Sequence, residues 1–203
     1  MDRSEVVHNI YKSLAQNNEI KVKTFRKEEI ITNFLTNRNY IYFVLSGSCS
    51  LYRYTRNGDM VFLQRYERYD SFGDCFHNIE LNSELSVVAN NKVSVFYFDY
   101  DEIIADERYV HLRPVLCEAC ILQLRKLNER VEILAKKTIR DRILAYFDIL
   151  SKRSIIKEFE LPMSYTQLSA FLGVDRSAMM RELKQLEEDR IIIRAKHRIQ
   201  INK

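Results

Sequence analysis

Residues 164–188 read SYTQLSAFLGVDRSAMMRELKQLEE, a run with helical apolar spacing broken at Gly173, one of only four glycines in 203 residues. Ser164 suits an N-cap, and Gln167, three residues on, suits its capping-box partner. The helix that starts there is predicted to stop at Leu172, because Gly173 can take the left-handed conformation that ends a helix within one residue. Asp175 then caps a second helix over 176–188, where its carboxylate also meets the positive end of the dipole. Two helices joined by a tight glycine turn make a helix–turn–helix. At about 100° per residue, Met179, Leu183 and Leu186 share one side of the second helix. Arg176, Ser177, Met180, Arg181 and Lys184 share another. The first side packs on Leu168, Phe171 and Leu172, and the second is free to meet a ligand. RIIIRAKHRIQI follows as two short strands around a basic turn at Ala195–Arg198, a wing carrying Arg194, Lys196, His197 and Arg198.

Charge supports a polyanionic partner for this end of the chain. Residues 136–203 hold 15 Lys/Arg against 9 Asp/Glu, whereas the first 135 hold 17 against 19. Arginine can grip guanine O6 and N7 with two hydrogen bonds, and lysine meets phosphate. Double-stranded DNA is therefore the expected partner. No run of about 18 uncharged apolar residues exists to span a bilayer, and MDRSEVVHNIYKS lacks the apolar stretch of a secretory leader. A cytoplasmic protein with no membrane partner is expected. Cys49, Cys75, Cys117 and Cys120 are too few and too uneven for a secreted disulfide framework. No convergent set of catalytic groups emerges, so an enzyme is not expected.

Upstream the period changes twice. From about residue 20 to 103, short alternating or fully apolar runs such as NYIYFVLSGSCSLYRYT, MVFLQRY and VSVFYFD predict strands. Asn57-Gly58 between two of them is the strongest short hairpin signal. From 110 to 135 the spacing becomes helical. Cys117, Cys120, Leu124, Leu127, Val131 and Leu134 recur every three or four residues, the seam expected of a helix packing lengthwise on another such as its own copy. Pro114 fits the first turn of that helix. A further helix is predicted over Thr138–Lys152, with FELPM as an extended link before the helix–turn–helix. The fold class is α+β: an N-terminal jelly-roll-like β-roll, a long dimerisation helix and a C-terminal winged helix–turn–helix.

With LSG at Gly47, the Asn57-Gly58 hairpin, FGD at Phe72–Asp74 and LGVDRSAMMREL at 172–183 in this order, the chain resembles the Crp/Fnr superfamily of bacterial transcription regulators. The resemblance covers nearly the whole chain. It implies a cyclic-nucleotide-binding-like sensor domain over 1–110, a dimerisation helix over 111–136 and a DNA-binding domain over 137–203. The implied protein is a homodimeric, sequence-specific transcription regulator, with RNA polymerase as a further candidate partner. Arg176, Ser177 and Arg181 match the family's base-reading positions, and Met180 lies on the same face. Many members carry Glu where this chain has Ser177, so their familiar half-sites do not transfer. Ser164, Tyr165 and Thr166 match positions beside the phosphate backbone, where free helix N–H groups favour an anion. Lys184, Arg194, Lys196, His197 and Arg198 complete the expected phosphate contacts. The glycine that often precedes the wing is replaced by Asp189 or Arg190.

The expected effector pocket comprises Gly73, Asp74, Cys75, Ser83, Glu84, Leu124, Leu127 and Asn128. Cyclic-nucleotide binders of the family resemble one another in a Gly-Glu for the ribose and, some ten residues on, an Arg-Ser for the cyclic phosphate. This chain has Gly73-Asp74 and Ser83-Glu84 there, with no arginine between Arg68 and Arg108. A buried phosphate without a cationic partner costs several kcal/mol, and Glu84 adds repulsion. Cyclic AMP is disfavoured as the effector. Haem stays open as a cofactor through Cys75 and His77, in the region where the family's carbon-monoxide sensors carry haem ligands. Cys117-x-x-Cys120 invites a metal or redox reading, but on a seam cysteine also packs as a small apolar residue. Two alternatives remain: a haem- or redox-sensing regulator, and a cyclic-nucleotide signalling module acting through protein contacts.

Overall fold

The computed structural model describes residues 2–16, 19–33, 39–55, 59–73, 84–152 and 157–202. The chain opens with α1 (Arg3–Ala15), whose N-cap Asp2 accepts from the Arg3 N–H. Eight strands follow: β1 (Lys21–Phe25), β2 (Ile30–Thr32), β3 (Tyr40–Ser46), β4 (Cys49–Tyr54), β5 (Met60–Tyr66), β6 (Ser71–Gly73), β7 (Leu85–Ala89) and β8 (Val93–Asp99). They form two antiparallel four-stranded sheets, in the orders β1-β8-β3-β6 and β2-β7-β4-β5. Asn57-Gly58 lies outside the described residues, but the strands on either side of it pair with Tyr54 opposite Met60.

The runs YIYFVLS and VSVFYFD are almost wholly apolar because their sheet is covered on both faces. Ile41, Phe43, Phe96 and Phe98 face a core shared with Val6, Ile10 and Leu14 of α1. Tyr42, Val44, Val93 and Val95 face the other sheet, whose Leu51, Tyr66 and Val87 complete a second core. Gly73 ends β6 against Tyr40, and a Cβ there would lie 2.1 Å from the Tyr40 carbonyl oxygen.

After β8 come α2 (Tyr100–Ala105), a 3-10 turn (Glu107–Leu112) and the long α3 (Arg113–Leu134), with Pro114 in its first turn. Leu112, Leu116 and Ala119 belong to the helix-side core. A buried polar cluster joins the same elements. Asp70, 3% exposed, takes Lys126 at 2.5 Å and Arg3 at 3.2 Å, and accepts the Glu67 N–H at 2.8 Å. Burial pulls the Lys126 ammonium below the ordinary lysine range, and the attraction of Asp70 opposes that. Beside it, Gln123 Nε2 donates to the Ser71 carbonyl at 2.6 Å.

The rest of the chain comprises α4 (Ile139–Ser151), β9 (Glu158–Glu160), α5 (Tyr165–Leu172), α6 (Arg176–Glu188), β10 (Ile192–Ala195) and β11 (Arg198–Ile201). Thr138 caps α4 through the Asp141 N–H. FELPM is more than a link: Glu158–Glu160 forms a third strand against β11, in the order β10-β11-β9. The chain divides into compact units Met1–Lys126 and Leu127–Lys203, so the division falls inside α3 rather than at either end of it.

Candidate nucleic-acid interface

Helix α5 begins and ends as its caps require. Ser164 Oγ accepts the Gln167 N–H, and Gln167 Oε1 accepts the Ser164 N–H at 3.1 Å, a complete capping box. Gly173 sits at φ 63°, ψ 43°, and the Val174 N–H closes back on the Ser169 carbonyl. Asp175 Oδ1 then accepts the Ala178 N–H at 2.8 Å to open α6. Leu168, Leu172, Met179, Leu183 and Leu186 are buried. Arg176, Ser177, Arg181 and Lys184 are exposed, and Met180 is half-buried beside them.

The wing is fastened to both helices. Arg194, one of the expected phosphate contacts, pairs with Glu187 of α6 and is 16% exposed. Its guanidinium also lies over the Tyr165 ring, 5.9 Å from the centroid. The Tyr165 hydroxyl donates to the Lys196 carbonyl at 3.0 Å, and the ring stacks on His197 with centroids 5.7 Å apart. Arg194 and Tyr165 therefore hold the wing in place. Arg190 adopts φ 58°, the left-handed position for which glycine is favoured before the wing. Ser164 and Thr166 are exposed at the start of α5, and Lys196, His197 and Arg198 are exposed on the wing.

Ion pairing separates the remaining cations. Lys184 lies 3.5 Å from Glu188, and Arg198 lies 3.8 Å from Glu158, both loose surface pairs. Arg140 is held by Glu182 and Asp189. On α6 and the wing, Arg176, Arg181 and Lys196 have no ion-pair partner among the described residues. Three cations without an ion-pair partner on one helix and the wing beside it suit a polyanion.

On α3, Leu124, Leu127 and Val131 are 57%, 47% and 63% exposed, and Ile121 and Cys117 are exposed with them. Cys120 is half-buried, and that burial pushes its thiol up. Leu134, the last residue of the expected seam, lies near the corner between α5 and α6. It is half-buried, and a Cβ on Gly173 would lie 3.4 Å from its Cδ2. Of the expected effector pocket, Asp74, Cys75 and Ser83 lie outside the described residues, as does His77. Gly73 is buried in β6, Glu84 is exposed, and Leu127 and Asn128 belong to the second compact unit. Among the described residues no group of three His, Cys, Asp or Glu is placed to hold a metal. No helix among them is long and apolar enough to cross a membrane.

Sequence reasoning passed over Arg142, Asp70, Gln123 and Lys126. Lys126 and Arg142 are visible in the sequence as cations, but Asp70 and the Leu172 and Gly173 carbonyls that they meet are distant in the chain.

Comparison with known proteins agrees with this architecture. Residues 22–105 match the cyclic nucleotide-binding domain, and residues 141–203 match the Crp-like helix-turn-helix domain. The fold is similar to that of a CooA mutant from Carboxydothermus hydrogenoformans, at 17% identity and TM-score 0.74, over 93% of this chain and 86% of that one. It is similar to FixK2 from Bradyrhizobium japonicum, at 20% identity and TM-score 0.69, over 91% and 93%. It is also similar to the c-di-GMP responsive global regulator CLP of Xanthomonas campestris, at 18% identity and TM-score 0.69, over 95% and 99%. No curated protein sequence matches the chain.

Proposed function

The chain belongs to the Crp/Fnr superfamily of transcription regulators, and from that premise we propose that it is a cytoplasmic, homodimeric, sequence-specific DNA-binding regulator. The observation that carries the reading is the set of unpaired, exposed cations on α6 and the wing. Arg176 and Arg181 enter the major groove and read base edges, with Ser177 and Met180 between them. Lys196, His197 and Arg198 meet the backbone, as do Ser164 and Thr166 at the N-terminus of α5. Lys184 adds a backbone contact once its loose pair with Glu188 opens. Tyr165 and Arg194 support the wing rather than touch phosphate.

Two copies associate through the exposed apolar face of α3, which places the two reading helices on half-sites about one helical turn apart. An event at the β-roll shifts the paired α3 helices, and the two arrangements differ in DNA affinity. With no arginine between Arg68 and Arg108, cyclic AMP is disfavoured as the effector. The activity is regulatory, with RNA polymerase as a further partner, and not catalytic.

Salt-dependent binding of two variants tests the reading. Arg181→Ala is expected to lose about 1–3 kcal/mol of discrimination between a selected site and a scrambled duplex. Lys196→Ala is expected to weaken both equally and to flatten the salt slope by about one. Equal loss on both duplexes in Arg181→Ala counts against the assignment of faces.

A further inference from the structure

Among the cations of the second unit, Arg142 has an unusual set of partners. It sits on the first turn of α4, half-buried, and its guanidinium is hydrogen-bonded to backbone carbonyls on two separate segments. Nε donates to the Lys136 carbonyl at 3.0 Å, in the link between α3 and α4. Nη1 donates to the Leu172 carbonyl at 3.0 Å and approaches the Gly173 carbonyl at 3.3 Å. The latter two are the corner between α5 and α6. Carbonyls at a helix C-terminus carry partial negative charge and need donors, and a planar guanidinium has five N–H groups in a fixed fork. Lysine, a single ammonium, has no such fork.

Two other contacts run the same way. The Arg130 guanidinium lies over the Phe171 ring of α5, 4.9 Å from the centroid. Leu134 lies against the Gly173 corner. The last turns of α3 and the helix–turn–helix therefore share one set of fastenings, and Arg142 is the only one of the three that also grips the link between them.

We infer that Arg142 is a positioning residue for DNA recognition: it fixes the direction in which α6 leaves the end of the dimerisation helix. This rests on the dimeric DNA-binding reading above and deepens it. Arg142 touches no DNA. It sets the angle between each reading head and its own α3, and so sets the separation at which two heads fit two half-sites together. A protein without the clamp keeps its base-reading and phosphate-binding groups but holds the two heads loosely.

The test is discrimination of half-site spacing. Duplexes are first selected from a random-sequence library by the wild-type protein, and their central spacer is then changed by one or two base pairs. Two base pairs turn one half-site by about 70° relative to the other. Wild type is expected to lose at least about tenfold in affinity for the two-base-pair change. Arg142→Met, which keeps the apolar stem but no donor, is expected to shrink that penalty to about threefold or less. Its affinity for a single half-site and its salt slope should match wild type. Arg142→Lys should fall between the two, and it carries the test if thermal unfolding shows that Arg142→Met has lost its fold. A variant with wild-type spacing discrimination overturns the inference and leaves the DNA-binding reading intact. A variant that weakens all duplexes alike, single half-sites included, reduces Arg142 to a structural cap and overturns it too. A wild-type protein that selects no paired half-sites takes down the dimeric reading, and this inference with it.

Discussion

At the scale of single residues, the sign of the backbone angle φ decides two substitutions in opposite directions. Gly173 stands at φ 63°, where a Cβ meets its own carbonyl and crowds Leu134 at 3.4 Å. Gly173→Ala is expected to lower stability by about 1 kcal/mol or slightly more, read as a lower melting temperature of the winged-helix unit. Arg190 occupies the same region at φ 58° without being glycine. Arg190→Gly relieves that strain and is expected to raise stability by a few tenths to about 1 kcal/mol in the same measurement. A drop instead means that the side chain has a packing role outweighing the strain. These local features were the most legible part of the sequence. Ser164, Gln167, Gly173 and Asp175 act on backbone groups within four residues of themselves, so their roles can be read from spacing. Arg142 and Arg194 cannot be read that way. Arg142 finds two of its three carbonyls 30 and 31 residues away, and Arg194 chooses Glu187 across a turn, among several acidic neighbours.

At the scale of elements, legibility followed length and coverage. The strands around Gly47 and the helices α3 to α6 were readable because each shows its period over many residues. Strand β9 was not, since three residues carry no period and only its partner β11 identifies it. Helix α1 lay outside the sequence-based expectation, although Val6, Val7, Ile10 and Leu14 have its spacing and Asp2 its cap. On α3 the expected seam residues Leu124, Leu127 and Val131 are exposed, whereas Leu134 is half-buried beside the corner. The exposed part of the stripe makes a prediction. Leu124→Glu puts like charges opposite each other in a two-fold pair and is expected to give a monomer by sedimentation equilibrium. That monomer should bind a single half-site normally and paired half-sites no more tightly than one. A dimer of unchanged strength in this variant removes α3 as the contact surface.

At the scale of the whole molecule, one helix serves two compact units, since the division between them falls between Lys126 and Leu127. Lys126, the last residue of the first unit, is held in the cluster with Asp70 and Arg3. Asp70→Ala strands that buried ammonium and is expected to cost about 3–5 kcal/mol. Hydrogen exchange should show the loss across β3, β6 and the first half of α3, with α4 to α6 keeping wild-type protection. Uniform loss across both units means that they unfold as one. The change of period and the uneven charge are visible in the sequence, whereas the cluster is not, because residues 3, 70 and 126 meet only after folding. The bare apolar stripe on α3 has a last consequence. On the homodimeric reading, dilute chains bind DNA in proportion to the square of their concentration, so doubling synthesis raises the active species about fourfold. Gene dosage thereby acts on the target promoters as an input of its own, before any effector arrives.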